Sequence, residues 1–109
     1  MPETWTTDLK HFLDEDGNLA FIPGPAFRLA EYFTAIVAMA SHPDPDVPSS
    51  FLVRCRRRPG RKPCPGMIDC DLDFETEAVG WWCPVCGDNG YIYNWQGSLW
   101  DLRGMEERQ

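Results

Sequence analysis

Histidine is scarce in this chain of 109 residues, with His11 and His42 the whole supply. A zinc deaminase needs His-x-Glu ahead of Pro-Cys-x-x-Cys, its glutamate moving protons, and both His11-Phe12-Leu13 and His42-Pro43-Asp44 lack that glutamate. Each histidine reads as a solvated loop residue rather than a metal ligand. No Ser/His/Asp order and no phosphate-cradling glycine loop is present. Calcium loops of the EF-hand type are excluded twice, since that loop needs glycine at its sixth position. Leu19 stands there after Asp14, Asp16 and Asn18, and Phe74 after Asp69, Asp71 and Asp73. No basic stretch followed by an apolar run precedes the cysteines, and the most apolar segment, 25–41, is too short to span a bilayer and carries Arg28 and Glu31. A cytoplasmic protein with no membrane partner is expected.

Positive charge is also short: 10 Lys and Arg stand against 17 Asp and Glu, a formal charge of −7. The chain as a whole has no electrostatic affinity for nucleic acid or anionic lipid, so any such partner must use a local patch. One patch exists. Arg54, Arg56, Arg57, Arg58, Arg61 and Lys62 gather between positions 54 and 62.

Along the chain, Asp-Gly-Asn at 16–18 lies between short apolar runs and predicts a hairpin or tight loop. From 25 to 41 a proline at the first helical position opens a run in which Leu29, Phe33, Ile36, Val37 and Ala40 recur at three- and four-residue spacing. A helix is expected there, with a polar stripe so narrow that the rest of the chain or a second copy must cover it. Three prolines mark an extended linker over 43–50. From Phe51 the texture is strand-like: "FLVRC", "MIDCDLDFE", "VGWWCP" and "YIYNW", separated by turn signals. The expected layout is an N-terminal helical appendage (1–42), the linker (43–50), a β module (51–102) and a polar tail (103–109). In fold class it is a small α+β protein, the helix packed on an antiparallel β unit.

All five cysteines lie in that unit: Cys55, Cys64, Cys70, Cys83 and Cys86. An odd count without a secretion signal favours metal binding or thiol chemistry over disulfides. A structural zinc wants four thiolate or imidazole ligands in a tetrahedron. Cys83-Pro84-Val85-Cys86-Gly87 supplies one half, because Pro84 fixes φ after the first thiol and Gly87 permits a left-handed backbone after the second. In "IDCDLDFETE" the acids occupy every odd position from Asp69 to Glu77, while Ile68, Cys70, Leu72 and Phe74 occupy the even ones. Cys70 therefore sits on an apolar face as a small hydrophobe. Cys55 and Cys64 remain as the second pair, with Cys64 and Cys70 the rival in which Cys55 is spare.

This order of a cysteine pair, a β-hairpin, "CPVCG" and a further strand resembles the zinc-ribbon family over residues 51–102. The run from Cys83 to Ile92, then Trp95 and Trp100-Asp101, is also similar to a set of small bacterial proteins with "CPxCGDxGxI" and a closing "WD". The resemblance implies a ribbon fold with one structural zinc on Cys55, Cys64, Cys83 and Cys86; it implies no activity. One departure stands out: eight residues, "RRRPGRKP", separate Cys55 from Cys64, where the family has two to four.

Other chemistries fit less well. A redox Cys-x-x-Cys sits where a strand meets a helix, whose N-terminus lowers the first thiol's pKa, and Gly-Asp-Asn-Gly with a strand pattern follows here instead. A zinc closed by four thiolates has no open position for water. The expectation is a non-catalytic module, structural or mediating interaction with a protein partner or with a second copy through the helix 25–41. Nucleic acid is the alternative partner, through Arg56, Arg57, Arg58, Arg61 and Lys62, with Trp81, Trp82, Tyr91, Tyr93 and Trp95 available to stack on bases. Against it, cations beside a tetrathiolate site offset its net charge of about −2, and aromatics in a small β unit serve as core.

Overall fold

The computed structural model describes residues 4–19, 24–43, 52–73 and 75–103. Its elements are strand β1 (Thr4–Asp8), helix α1 (Gly24–Ser41), and strands β2 (Asp69–Leu72), β3 (Val79–Trp82) and β4 (Asn89–Tyr93), with 3-10 turns at Leu9–Phe12 and Pro59–Arg61. Residues 44–50 of the expected linker and 104–109 of the expected tail lie outside the described residues.

The strands form one sheet in the order β1-β4-β3-β2. Each adjacent pair among β2, β3 and β4 runs antiparallel, whereas β1 lies parallel to β4. The sheet is therefore mixed, not purely antiparallel as expected. Its first strand comes from the N-terminal segment that sequence reading treated as helical. A parallel neighbour needs a long crossover, and here most of the chain intervenes.

Alternation along the strands sets two faces. Val79 and Trp81 of β3 are buried with Ile92 of β4, while Trp82 and Tyr91 are exposed. On β2, Asp69 and Asp71 are exposed and Cys70 and Leu72 half-buried, the period of two read from the acids. Helix α1 begins at Gly24, one residue before the expected Pro25, and buries Ala30, Phe33, Ile36, Val37 and Met39 within the single chain. One core cluster joins Leu9, Phe33, Ile36 and Val37 with Val53, Ile68, Val79, Trp81, Ile92 and Trp95. Rings make the joint: Trp81 meets Tyr32 edge-on at 5.9 Å and Phe33 at 6.1 Å between centroids, pairings worth about 0.5–1.5 kcal/mol each beyond area burial. Among the described residues no helix is long and apolar enough to cross a membrane.

Polar ties hold the loops. Asp14 closes the Asp-Gly-Asn turn, its Oδ1 accepting from the amides of Asp16 and Asn18 at 2.9 and 3.0 Å. That tight loop brings Leu13 and Leu19 into a β-bridge. Buried Ser41 donates to the Val37 carbonyl at 2.7 Å and accepts from the Leu102 amide at 3.0 Å, fastening the helix end to the chain after β4. Trp95 donates its indole N–H to the Glu77 carbonyl at 2.8 Å.

Candidate metal centre

Two irregular turns bring four thiols together. The first spans Cys55 and Cys64, where the Cys55 amide donates to the Gly66 carbonyl, the Cys64 amide to the Arg57 carbonyl and the Ile68 amide to the Val53 carbonyl, all at 2.8 to 2.9 Å. With the Arg54–Met67 bridge this is an antiparallel ladder that closes a loop. Pairing of two chain segments sets the thiols side by side, and so eight intervening residues are accommodated. The second turn is Cys83-Pro84-Val85-Cys86, closed when the Gly87 amide donates to the Cys83 carbonyl at 2.9 Å and the Cys83 amide to the Asp88 carbonyl at 2.7 Å. Gly87 adopts φ +82°, the left-handed backbone that glycine enters without a Cβ penalty.

The four Sγ atoms of Cys55, Cys64, Cys83 and Cys86 all lie within 4.8 Å of one another. Cys55 and Cys86 are 3.6 Å apart and Cys64 and Cys83 3.7 Å apart, sulfur to sulfur. Those separations are far beyond a disulfide, about 2.05 Å, and match the edge of a tetrahedron of thiolates about 2.3 Å from its centre, about 3.8 Å. Cys55, Cys64 and Cys83 are buried and Cys86 is partly exposed. Cys70 stays apart on β2, packed at the margin of the core, so the rival pairing with Cys64 is not the one this geometry assembles.

Amides surround the sulfurs. Gly66 donates its N–H to Cys64 Sγ at 3.4 Å, and the Arg57 amide faces Cys55. Burial pushes the Cys55 thiol up to about 12, the Arg57 amide pulling the other way and the Cys86 thiol adding to the rise. At Cys64 the Gly66 amide favours thiolate, but burial and the thiols of Cys83 and Cys86 outweigh it and the pKa rises. Burial also opposes ionisation of Cys83, yet the amides of Cys86 and Val85 and the adjoining thiols prevail and bring it down to about 7. Without a cation, burial favours the protonated thiol at Cys55 and Cys64, while Cys83 is partly ionised near neutral pH. A divalent ion changes that, because it binds thiolate and displaces the protons.

Two neighbours escaped sequence reasoning. Gly66 lies against Cys83, and a Cβ built there would stand 2.4 Å from its Sγ; the signal was the Cys64-Pro65-Gly66 run, a second Cys-Pro turn. Asp88 is 3 % exposed and accepts from the Trp5 indole at 3.1 Å, a tie across 83 residues with no local sign.

The basic segment projects from the first turn. Arg56, Arg57, Arg58, Arg61 and Lys62 are all exposed. Its tip is the Pro59–Arg61 turn, with Gly60 at φ +63° and Arg61 at φ +69°, held by Arg58 donating to the Arg61 carbonyl at 3.2 Å. Arg56 lies over the Tyr32 ring at 5.9 Å. Arg56, Arg57 and Arg58 line a cavity of about 380 Å³ with Cys86 and Asp88. Of the aromatics considered for stacking, Trp81 and Trp95 are 2 % exposed and belong to the core. The four cysteines make a site able to hold a metal ion. No family model, curated protein or solved structure matches the chain.

Proposed function

We propose that the protein is a non-catalytic zinc module, a zinc ribbon with helix α1 packed on it, in which Cys55, Cys64, Cys83 and Cys86 hold one structural zinc. The observation that carries the reading is the spacing of the four sulfurs, 3.6 and 3.7 Å across the two pairs, which suits four thiolates on one small ion. The donor set is all sulfur, and among common divalent ions zinc accepts that set in a tetrahedron. Bound there, zinc supplies folding energy and no reaction, since four protein ligands leave no position for water.

A redox role for Cys83 and Cys86 is less well supported. Its nucleophile must be reachable, whereas Cys83 is 1 % exposed and two further thiols adjoin it. Reduced thiols suit a reducing compartment, the cytoplasm. Elemental analysis of the purified chain tests the proposal: one zinc per chain supports it, and a metal-free folded protein with a Cys83–Cys86 disulfide contradicts it.

A second reading assigns the loop 54–62 to nucleic acid. The observation in its favour is a loop pinned between Cys55 and Cys64 with a Pro59–Arg61 turn at its tip and its cations exposed, an arrangement that would lower the entropic cost of binding. The alternative use of the same charges is to offset the thiolates, and substitution of the loop arginines separates the two.

A further inference from the structure

The outer face of the sheet carries a groove that the metal centre does not use. Register defines it: Asp71 lies opposite Gly80 and Gly80 opposite Tyr91, while in the next row Asp69 lies opposite Trp82 and Trp82 opposite Asn89. Residues directly opposite share a face, so Trp82 and Tyr91 are diagonal neighbours on the side away from the core. Trp82 is 40 % and Tyr91 41 % exposed. Gly80 has no side chain, and the Tyr91 ring lies against it, with Cε1 3.4 Å from where a Cβ would stand. The result is a cavity of about 430 Å³ with Gly80, Trp82 and Tyr91 along it and Asp71 and Asp73 at its edge.

Among the described residues the carboxylates at that edge have no cation within ion-pair distance. Among the described residues the one ion pair is Arg103 with Asp101, elsewhere on the chain. Asp71 and Asp73 each use Oδ1 to accept a nearby amide, from Leu72 and from Glu75, both at 2.9 Å. Asp73 also accepts from the Thr76 amide at 3.4 Å and is engaged by the Thr76 side chain, whereas Asp71 Oδ2 has no hydrogen-bond partner among the described residues. Exposed aromatic rings and the uncommitted Asp71 carboxylate together match one ligand chemistry. A guanidinium stacks flat on an indole or phenol ring while its N–H groups meet a carboxylate in a fork.

We infer that this groove binds an arginine side chain presented by a basic segment of a protein partner. The net charge of −7 favours such a partner at long range. The same carboxylates repel phosphate, which sets this face apart from the loop 54–62 and from any role in nucleic-acid binding. The inference does not depend on which metal the cysteines hold.

Fluorescence anisotropy of a labelled peptide of alternating glycine and arginine, titrated at low ionic strength with the full chain as purified, tests it. Expected is saturable binding, weakened about tenfold by Trp82→Ala, as loss of a cation–π face implies, and several-fold by Asp71→Asn. Asp71→Asn keeps the side-chain volume at an exposed edge, so its effect cannot come from unfolding. The matching lysine peptide binds more weakly, and Glu31→Gln on helix α1 changes nothing. Absence of saturation, or equal loss in Glu31→Gln, overturns the inference. So does concentration-dependent dimerisation in sedimentation that both Trp82→Ala and Arg57→Ala abolish, because the groove then holds the loop of a second copy.

Discussion

Gly66 approaches Cys83 so closely that a Cβ on Gly66 would lie 2.4 Å from the thiol sulfur and 3.1 Å from two carbons of Val85. The two turns of the candidate metal centre are thus in van der Waals contact, and no larger residue fits between them without moving a ligand. Gly66→Ala is expected to destabilise the chain by about 1–3 kcal/mol, the usual cost of overpacking, and to speed zinc loss to a chelator. Chelator competition against the wild type checks it; equal rates would mean the turns separate freely.

Removal of the ion should unfold residues 51–102. In this region the strands are short, and the ligands come from both ends of the module, so binding free energy is folding free energy. Trp81 and Trp95, each 2 % exposed, report the change: their emission shifts to the red and the amide spectrum collapses on complete chelation. Dispersed amide signals from residues 51–102 that persist without metal would contradict a structural role.

Cys70 is expected to stand outside the ligand set and to react slowly. Burial, reinforced by the charges of Asp69 and Asp71, pushes its thiol up to about 12, so at pH 8 it holds less thiolate than an ordinary cysteine and alkylates slowly, faster as pH climbs. Cys70→Ser should leave metal stoichiometry intact, whereas Cys83→Ser should lose it. Rapid alkylation of Cys70 at pH 8 would contradict its burial, and zinc loss in Cys70→Ser would return Cys70 to the ligand set.

Acid sensitivity should include one small, assignable step. The Arg103 guanidinium, 2.7 Å from Asp101 Oδ2, holds the Asp101 carboxyl down at about 2 with help from the Gly97 amide. A depressed folded pKa contributes stability that is full above the unfolded value near 3.9 and lost as pH falls toward 2. Because Arg103 is half-exposed, solvent screens the pair to about 1 kcal/mol or less. The difference in urea midpoint between wild type and Asp101→Asn should therefore shrink from pH 5 to pH 2. A difference independent of pH would assign Asp101 a packing role only.

Replacing Arg56, Arg57, Arg58 and Arg61 by Ala distinguishes the two uses of the loop. If the charges offset the thiolates, zinc affinity or thermal stability falls and no binding changes. If nucleic acid is the target, zinc content stays and a salt-sensitive affinity disappears, because phosphate contacts release counterions. A wild type with no retention on single-stranded or duplex nucleic acid at low salt leaves the structural use standing.

What was legible in the sequence was local. The heptad-like spacing of Leu29, Phe33 and Ile36 marked helix α1, the acids at 69 and 71 marked the two faces of β2, and the Asp-Gly-Asn turn marked its own loop; the alternation read on to Glu77 overran the strand, which ends at Leu72 before a turn closed between Asp73 and Ala78. The thiol set was readable because Cys-Pro-x-Cys-Gly advertises its turn and because the acids at 69 and 71 put Cys70 on another face. Strand β1 was not readable. Its Thr-Trp-Thr-Thr carries little apolar alternation, and its partner β4 lies across most of the chain, a pairing no window of sequence holds. Likewise the Cys55–Cys64 spacing looked wrong for a metal turn because backbone pairing between 53–57 and 64–68, a tertiary feature, is what brings the thiols together.

X-ray absorption at the zinc edge of the purified chain tests the central claim most directly. The account predicts one zinc per chain with four sulfur neighbours at about 2.3 Å and no nitrogen or oxygen in the first shell. A metal-free protein, or an ion with fewer than four sulfurs, would contradict it.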